Sequence, residues 1–98
     1  MEPVLGNFLD SVTAESSLAA GPPLLRAVWH GMRGEWDVAH EIAQGDASAD
    51  GAWVHAWLHR IEGDLSNAAY WYRRADRPVV QDDTTTEGRA IASALLQG

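Results

Sequence analysis

Two histidines that stand four residues apart are the strongest candidate ligands in this sequence. On a helix, His55 and His59 project their imidazoles from the same face because residues i and i+4 are neighbours there. That spacing suits a divalent metal ion such as Zn²⁺, which needs at least one further ligand. His40 and Glu62 offer suitable donor groups by residue type, and His30 is the remaining histidine. The alternative is that these histidines are structural and bond to a neighbouring backbone or acidic group.

The sequence contains no complete catalytic motif. It has no HExxH zinc-protease motif, no glycine-rich phosphate loop and no GxSxG nucleophile elbow. It also has no cysteine, which excludes disulfides and thiolate chemistry and is typical of a cytoplasmic protein. We therefore expect no enzymatic activity and no cofactor. One alternative is a small-molecule or divalent-metal-binding protein that uses His30, His55 and His59.

Three consecutive aromatic residues precede two arginines in the second half of the chain. On a helix, Tyr70, Trp71 and Tyr72 would span most of the circumference, so they cannot all face one core. We expect Tyr72 to point inward and Tyr70 or Trp71 to stay partly exposed beside Arg73 and Arg74. Aromatic and arginine side chains are enriched at protein interfaces. The pattern favours a protein-binding surface, and a homodimer through this surface is a second interpretation.

The composition is that of one folded, acidic domain over residues 1–98. Apolar residues make up 46% of the chain and include five tryptophans, which excludes the weakly hydrophobic, disordered class of sequence. The formal net charge of -7 would repel phosphate backbones, so we expect no nucleic-acid binding. No apolar run approaches the roughly 20 residues of a membrane span, and the acidic N-terminal segment does not resemble a signal peptide.

Hydrophobic spacing predicts about six helices and no strand. Apolar residues recur at helical intervals in six segments, which glycine, proline and polar residues separate. The first helix is predicted to end before Gly21, and the second to end at Gly34. The third is predicted over 35–44, and a small, polar segment over 45–51 is predicted to be a loop.

The second half of the chain carries further start and stop signals. The apolar stripe of the fourth predicted helix consists of Trp53, Val54, Trp57, Leu58 and Ile61. Asp64 is predicted to cap a fifth helix over 65–75. After a linker over 76–83, Thr84 and Glu87 form a capping-box pattern that predicts the start of the last helix.

A helical hairpin pattern occurs twice in the chain. Residues 25–39 align with residues 54–68 at an offset of 29, which places Gly34 on Gly63. The other matching pairs are Ala27 with Ala56, His30 with His59, and Ala39 with Ala68. In each copy the glycine can end a helix in a left-handed conformation, and the alanines let two helices approach closely.

The second copy resembles the turn and second helix of a tetratricopeptide repeat. Gly63 and Asp64 match the turn of that family, and the residues at its characteristic large, small and aromatic positions are Leu65, Ala68, Tyr72 and Ala75. Residues 34–39 match less completely, since Ala43 replaces the aromatic residue. The offset of 29 is shorter than the usual repeat of about 34 residues. The chain also resembles short bacterial proteins of this kind, for which the resemblance implies no established activity.

The resemblance implies an all-α fold with two helix–turn–helix units, flanked by N- and C-terminal capping helices. The units would cover about 23–45 and 52–78. In this family the concave side commonly holds an extended peptide, and the resemblance places Trp53, Trp57, Arg60 and Ile61 on that side. The alternative is that a terminal helix fills the groove and that both tryptophans belong to the core.

We therefore predict an interaction or scaffold module that binds a protein or peptide. The predicted binding residues are Trp53, Trp57, Arg60, Tyr70, Trp71, Arg73 and Arg74. This interpretation assigns no catalytic residue and no metal ligand. Besides the metal-binding alternative, a homo-oligomeric structural protein is also consistent with the exposed aromatic residues.

Overall fold

The computed structural model describes residues 22–97, which form five α-helices and no strand. The helices are α1 (Pro23–Met32), α2 (Trp36–Gln44), α3 (Ala49–Glu62), α4 (Leu65–Arg74) and α5 (Thr84–Gln97). The predicted all-α class is confirmed for this part of the chain. The helix predicted before Gly21 lies outside the described residues. Among the helices described, none has both the length and the apolar character that crossing a membrane requires.

Helix α3 occupies the centre of the structure. It packs against α1, α2, α4 and α5, and α1 also contacts α2 and α5. All residues from Gly51 to His59 are buried, so this helix is covered on every side instead of along a single apolar stripe. Polar side chains of α3 therefore enter different helix interfaces.

Glycine ends the helix before each predicted hairpin turn. The φ angles of Gly34 and Gly63 are 83° and 88°, in the left-handed region that favours glycine. In both turns, the residue after the glycine donates its N–H to the carbonyl four residues before the glycine, at 2.9 Å. The Asp64 carboxylate then caps α4 by accepting a hydrogen bond from the Asn67 N–H at 3.3 Å. The predicted helix ends at both glycines and the predicted Asp64 cap are confirmed.

The start of α3 lies inside the segment 45–51 that was predicted to be a loop. The helix begins at Ala49 because the Ser48 hydroxyl accepts a hydrogen bond from the Gly51 N–H at 3.0 Å. A side chain at position 51 would clash, since its Cβ would lie 2.3 Å from the Asp46 carbonyl oxygen. The loop is thus shorter than its small, polar composition suggested.

Helix α5 begins at Thr84, but the predicted capping box is wrong. The capping residue is Asp83, whose carboxylate accepts a hydrogen bond from the Thr86 N–H at 2.9 Å. Glu87 does not turn back to the start of the helix, because its side chain points into the core and the residue is only 3% exposed. A local motif was overridden here by contacts with other helices.

Trp57 connects three helices at the centre of the core. Its indole Nε1 donates to the Thr84 carbonyl at 2.7 Å. A Cβ on Gly31 of α1 would lie 2.7 Å from one atom of this ring, and a Cβ on Gly88 of α5 would lie 2.8 Å from another. Both distances are far below van der Waals contact, so α1 and α5 approach the ring only because these positions are glycine.

The C-terminal end of α3 and the turn after it are more exposed than the sequence predicted. Ile61, the last residue of the predicted apolar stripe, is 38% exposed, and Leu65, whose large side chain at the repeat position is expected to seal the turn, is 66% exposed. All residues over 61–66 are exposed, so the α3–α4 turn projects from the bundle. The expectation that Leu65 seals the turn is therefore wrong, because no neighbouring helix covers this turn within residues 22–97.

Candidate functional site

Three histidines from two helices meet in the interface between α2 and α3. His40 comes from α2, and His55 and His59 come from α3. The Nε2 atoms of His40 and His55 are 3.0 Å apart, and one ring nitrogen of each residue lies within 4.8 Å of the other two. His55 and His59 are buried and His40 is half-buried. These three residues form the histidine cluster.

The helices fix the positions of all three rings. The i, i+4 spacing stacks His55 on His59, with ring centroids 4.9 Å apart. The Trp36 indole joins α2 to α3 by donating a hydrogen bond to the Leu58 carbonyl at 2.7 Å. The same indole stacks on His40 with a centroid separation of 4.6 Å. The cluster is therefore held by the helix backbones and by an aromatic side chain.

Two residues support the cluster from its outer side. The Trp71 ring of α4 stacks on His55, with centroids 3.9 Å apart and 13° between the ring planes. The Glu62 carboxylate lies 2.7 Å from Nδ1 of His59. Because an ionised carboxylate only accepts hydrogen bonds, Nδ1 of His59 is the donor in this contact, and Glu62 orients the His59 ring.

The surroundings of His40 and His55 favour neutral imidazoles. Burial, followed by the proximity of His40 and His59, lowers the pKa of His55 from 6.5 to about 4. Burial, followed by the proximity of His59, also lowers the pKa of His40. Both rings are therefore uncharged near pH 7, where one donates and the other accepts the hydrogen bond between them. Neutral imidazole is also the form that binds metal ions.

A pocket of about 180 Å³ lies next to the histidine cluster. It is bounded by the end of α2, the α2–α3 loop, α3 and α4, and His55, Trp71 and Arg74 form part of its wall. Asp46 also lines it. His55 therefore belongs both to the cluster and to a cavity that a small solute can enter.

His30, which the sequence suggested as a ligand together with His55 and His59, lies outside the cluster. Its Nδ1 is 2.8 Å from the Glu35 carboxylate, so it has the acidic neighbour that the structural alternative expected. His40, named from the sequence only as a donor of suitable type, takes its place because α2 packs against α3.

The predicted peptide groove at Trp53, Trp57 and Arg60 is closed. Trp53 is 6% exposed and Trp57 is 1% exposed, since α5 packs over α3 and α1. The Arg60 guanidinium donates hydrogen bonds to the Glu87 carboxylate and to the Asp82 carbonyl. The assignment of these residues as binding residues is thus corrected to a structural role, as in the alternative where a terminal helix fills the groove.

A second buried polar cluster surrounds Glu87. The Tyr72 hydroxyl lies 2.6 and 2.7 Å from the two carboxylate oxygens, and Trp53 Nε1 donates to the carboxylate at 3.1 Å. Burial and the adjacent carboxylate raise the pKa of Tyr72, so its hydroxyl stays protonated as a donor. The sequence prediction missed this Glu87 cluster, which consists of Trp53, Arg60, Tyr72 and Glu87. One feature of the sequence could have indicated that Glu87 is buried: it precedes the apolar Ile91 by four residues, which places both on the same face of α5.

Four residues of α4 form an exposed aromatic and basic surface. Tyr70 is 42% exposed, Trp71 is half-buried, and Arg73 and Arg74 are exposed, whereas Tyr72 is buried as predicted. Arg74 donates a hydrogen bond to the Tyr70 hydroxyl at 2.9 Å, and its guanidinium lies 5.4 Å from the centre of the Trp71 ring. Within residues 22–97, neither arginine pairs with a carboxylate. Tyr70, Trp71, Arg73 and Arg74 are called the aromatic–arginine surface.

Comparisons with known proteins do not place this chain in a family. No protein-family model matches it, and no curated protein or solved structure matches it significantly. The resemblance to tetratricopeptide repeats therefore stays a prediction from the sequence. The side chains of the chain itself are the basis for any conclusion about what it binds.

Proposed function

We propose that this protein is a non-catalytic, tetratricopeptide-like module that binds a protein or peptide through the aromatic–arginine surface. The observation that carries the proposal is the exposure of Tyr70 beside two arginines that have no acidic partner within residues 22–97. Such residues are enriched among those that contribute most to binding at protein interfaces.

The repeat part of the proposal rests on two similar helical hairpins. The α1–α2 and α3–α4 pairs each turn at a left-handed glycine, and α3 packs against both helices of the first pair. The equivalent alanines Ala27 and Ala56 are fully buried, as are Ala39 and Ala68 to within 1%. Helix α5 lies against α1 and α3, the first helices of the two units, so it fills the groove between the units.

The chemistry of the surface favours a partner that presents an acidic group next to an apolar one. An arginine guanidinium binds a carboxylate through two parallel hydrogen bonds, and Tyr70 offers a rigid ring for apolar contact. The net charge of -7 repels an acidic segment from the rest of the chain, so attraction is confined to the basic surface on α4, which would orient the segment. The pocket beside Trp71 and Arg74 has room for one small side chain of that segment.

Selection from a displayed peptide library tests this proposal. We expect the selected peptides to combine Asp or Glu with an apolar residue. Arg74→Gln should weaken their binding about tenfold or more, because the variant keeps the helix and removes the charged fork. Fluorescence anisotropy of one labelled peptide against each variant measures the effect.

The matched control is Arg89→Gln, which removes an exposed arginine from α5. This control should bind the peptide as the wild type does. The proposal fails if no peptide is selected, or if Arg74→Gln and Arg89→Gln weaken binding equally. Sedimentation equilibrium addresses the competing homodimer, since a wild-type dimer that Tyr70→Ser dissociates would show that the surface serves self-association.

A further inference from the structure

We propose that the histidine cluster binds one divalent transition-metal ion, with Zn²⁺ preferred, through His40, His55 and His59. This inference goes beyond the proposed function, which uses the exposed side of α4. It starts from the convergence of three ring nitrogens within 4.8 Å of one another, from residues that belong to two different helices. His55 and His59 lie one turn apart on α3, whereas His40 lies on α2 and reaches them only because the two helices pack together.

The distances are close to those of a metal site. With Zn–N bonds of about 2.0–2.1 Å and tetrahedral angles, ligand nitrogens lie about 3.3–3.4 Å apart. The Nε2 atoms of His40 and His55 are 3.0 Å apart, which is already near that value. Because all three ligand nitrogens lie within 4.8 Å of one another, no separation has to shorten by more than about 1.5 Å to reach the tetrahedral value.

The donor set determines which ions are suitable. Three neutral imidazoles suit zinc, copper or nickel, whereas calcium and magnesium require oxygen ligands. Three histidines also leave a fourth coordination position of zinc for water or for another ligand. His55 also lines the pocket next to the cluster, through which a solute can approach this residue.

The residues around the cluster also resemble the outer shell of a metal site. The Glu62 carboxylate accepts the Nδ1 proton of His59 and so fixes the tautomer whose Nε2 can bind metal. Trp36 and Trp71 stack on His40 and His55 and restrict the movement of both rings. A ring that is already oriented loses less conformational entropy when it binds an ion.

A second set of donors is close enough to compete for the ion. His59, Glu62 and Asp64 also have donor atoms within 4.8 Å of one another, but both acidic residues are exposed. Asp64 is further occupied as the cap of α4. The three-histidine set is favoured because two of its members are buried, and variants at His40 and Asp64 separate the two sets.

Metal binding to the purified, chelator-treated chain tests the proposal. Isothermal titration with Zn²⁺ should give one ion per chain, and Co²⁺ should produce the intense visible absorption of a tetrahedral site. His40→Gln should weaken Zn²⁺ binding by at least about 100-fold, because one of three ligands is lost. His30→Gln is the matched control, since it removes the histidine outside the cluster and should leave the affinity within about twofold.

A second measurement covers the case in which His40→Gln does not fold. Histidine ring nitrogens give separate NMR signals, and Zn²⁺ should shift those of His40, His55 and His59 in the wild type while leaving His30 unchanged. The proposal is overturned by an absence of stoichiometric Zn²⁺ uptake, or by equal losses in His40→Gln and His30→Gln. It is equally overturned if Asp64→Asn abolishes binding while His40→Gln retains it.

Discussion

The two polar clusters that border α3 satisfy their buried groups in opposite ways. The Glu87 cluster brings donors to an acceptor, because Tyr72, Trp53 and Arg60 all point at one carboxylate. The histidine cluster brings together three groups of the same kind, and His40 and His55 hydrogen-bond to each other. No buried side-chain nitrogen or oxygen within residues 22–97 lacks a hydrogen-bond partner, so both arrangements are complete.

The difference indicates different roles. A carboxylate that is surrounded by its own donors has little capacity left for an external ligand, and its removal leaves those donors buried without a partner. Imidazoles that partner one another can exchange that hydrogen bond for a proton or a metal ion. The Glu87 cluster should therefore contribute mainly to the free energy of unfolding. The histidine cluster should instead bind protons or metal ions as the pH and the metal concentration of the solution change.

The largest effect is expected from Glu87→Ala. This substitution leaves the partly buried Arg60 charge and the buried donors of Tyr72 and Trp53 without their carboxylate, and breaking a buried ion pair costs about 3–5 kcal/mol. Urea unfolding monitored by circular dichroism measures the free energy of unfolding. Glu41→Ala, which removes an exposed acid from α2, is the control and should change it by less than about 0.5 kcal/mol. Similar values for both variants would contradict the stabilising role of the Glu87 cluster.

A smaller effect is expected from Tyr72→Phe. The variant keeps the buried ring and removes only the hydroxyl that donates to Glu87, a hydrogen bond to a charged group worth about 1.5–3 kcal/mol. Tyr70→Phe makes the same chemical change on the exposed side of α4, where the effect should stay below about 0.5 kcal/mol. If the two variants unfold at the same urea concentration, the buried hydroxyl does not stabilise the protein.

Local signals were sufficient to predict most of the helices but not how they pack. Gly34, Gly63 and the Asp64 cap were identified correctly because a helix end depends on the backbone of a few adjacent residues. The closed groove at Trp53 and Trp57 was not predictable in the same way. Their burial depends on where α5 packs, which the spacing of residues within α3 does not determine.

The candidate sites show the same limit. The pairing of His55 with His59 follows from helical spacing alone, and the structure retains it. His40 could be named only by residue type, because its approach to His55 requires the contact between α2 and α3. Glu87 fitted a capping motif better than a core position, and only the neighbouring helices show that the core contacts prevail over the motif.

The smallest effect concerns the histidine cluster and is a difference in pH dependence. In metal-free protein, the pKa of His55 is lowered from 6.5 to about 4 by burial and by the nearby His40 and His59. As the pH falls from 6.5 towards 4, the unfolded chain binds a proton at position 55 that the folded chain does not bind, so stability falls. His55→Gln should lose less stability than the wild type between pH 7 and pH 5, as measured by urea unfolding with a chelator present. If the free energy of unfolding changes with pH in the same way for both proteins, the pKa of His55 is not lowered. The two clusters would then differ in the arrangement of their hydrogen bonds but not in their response to pH.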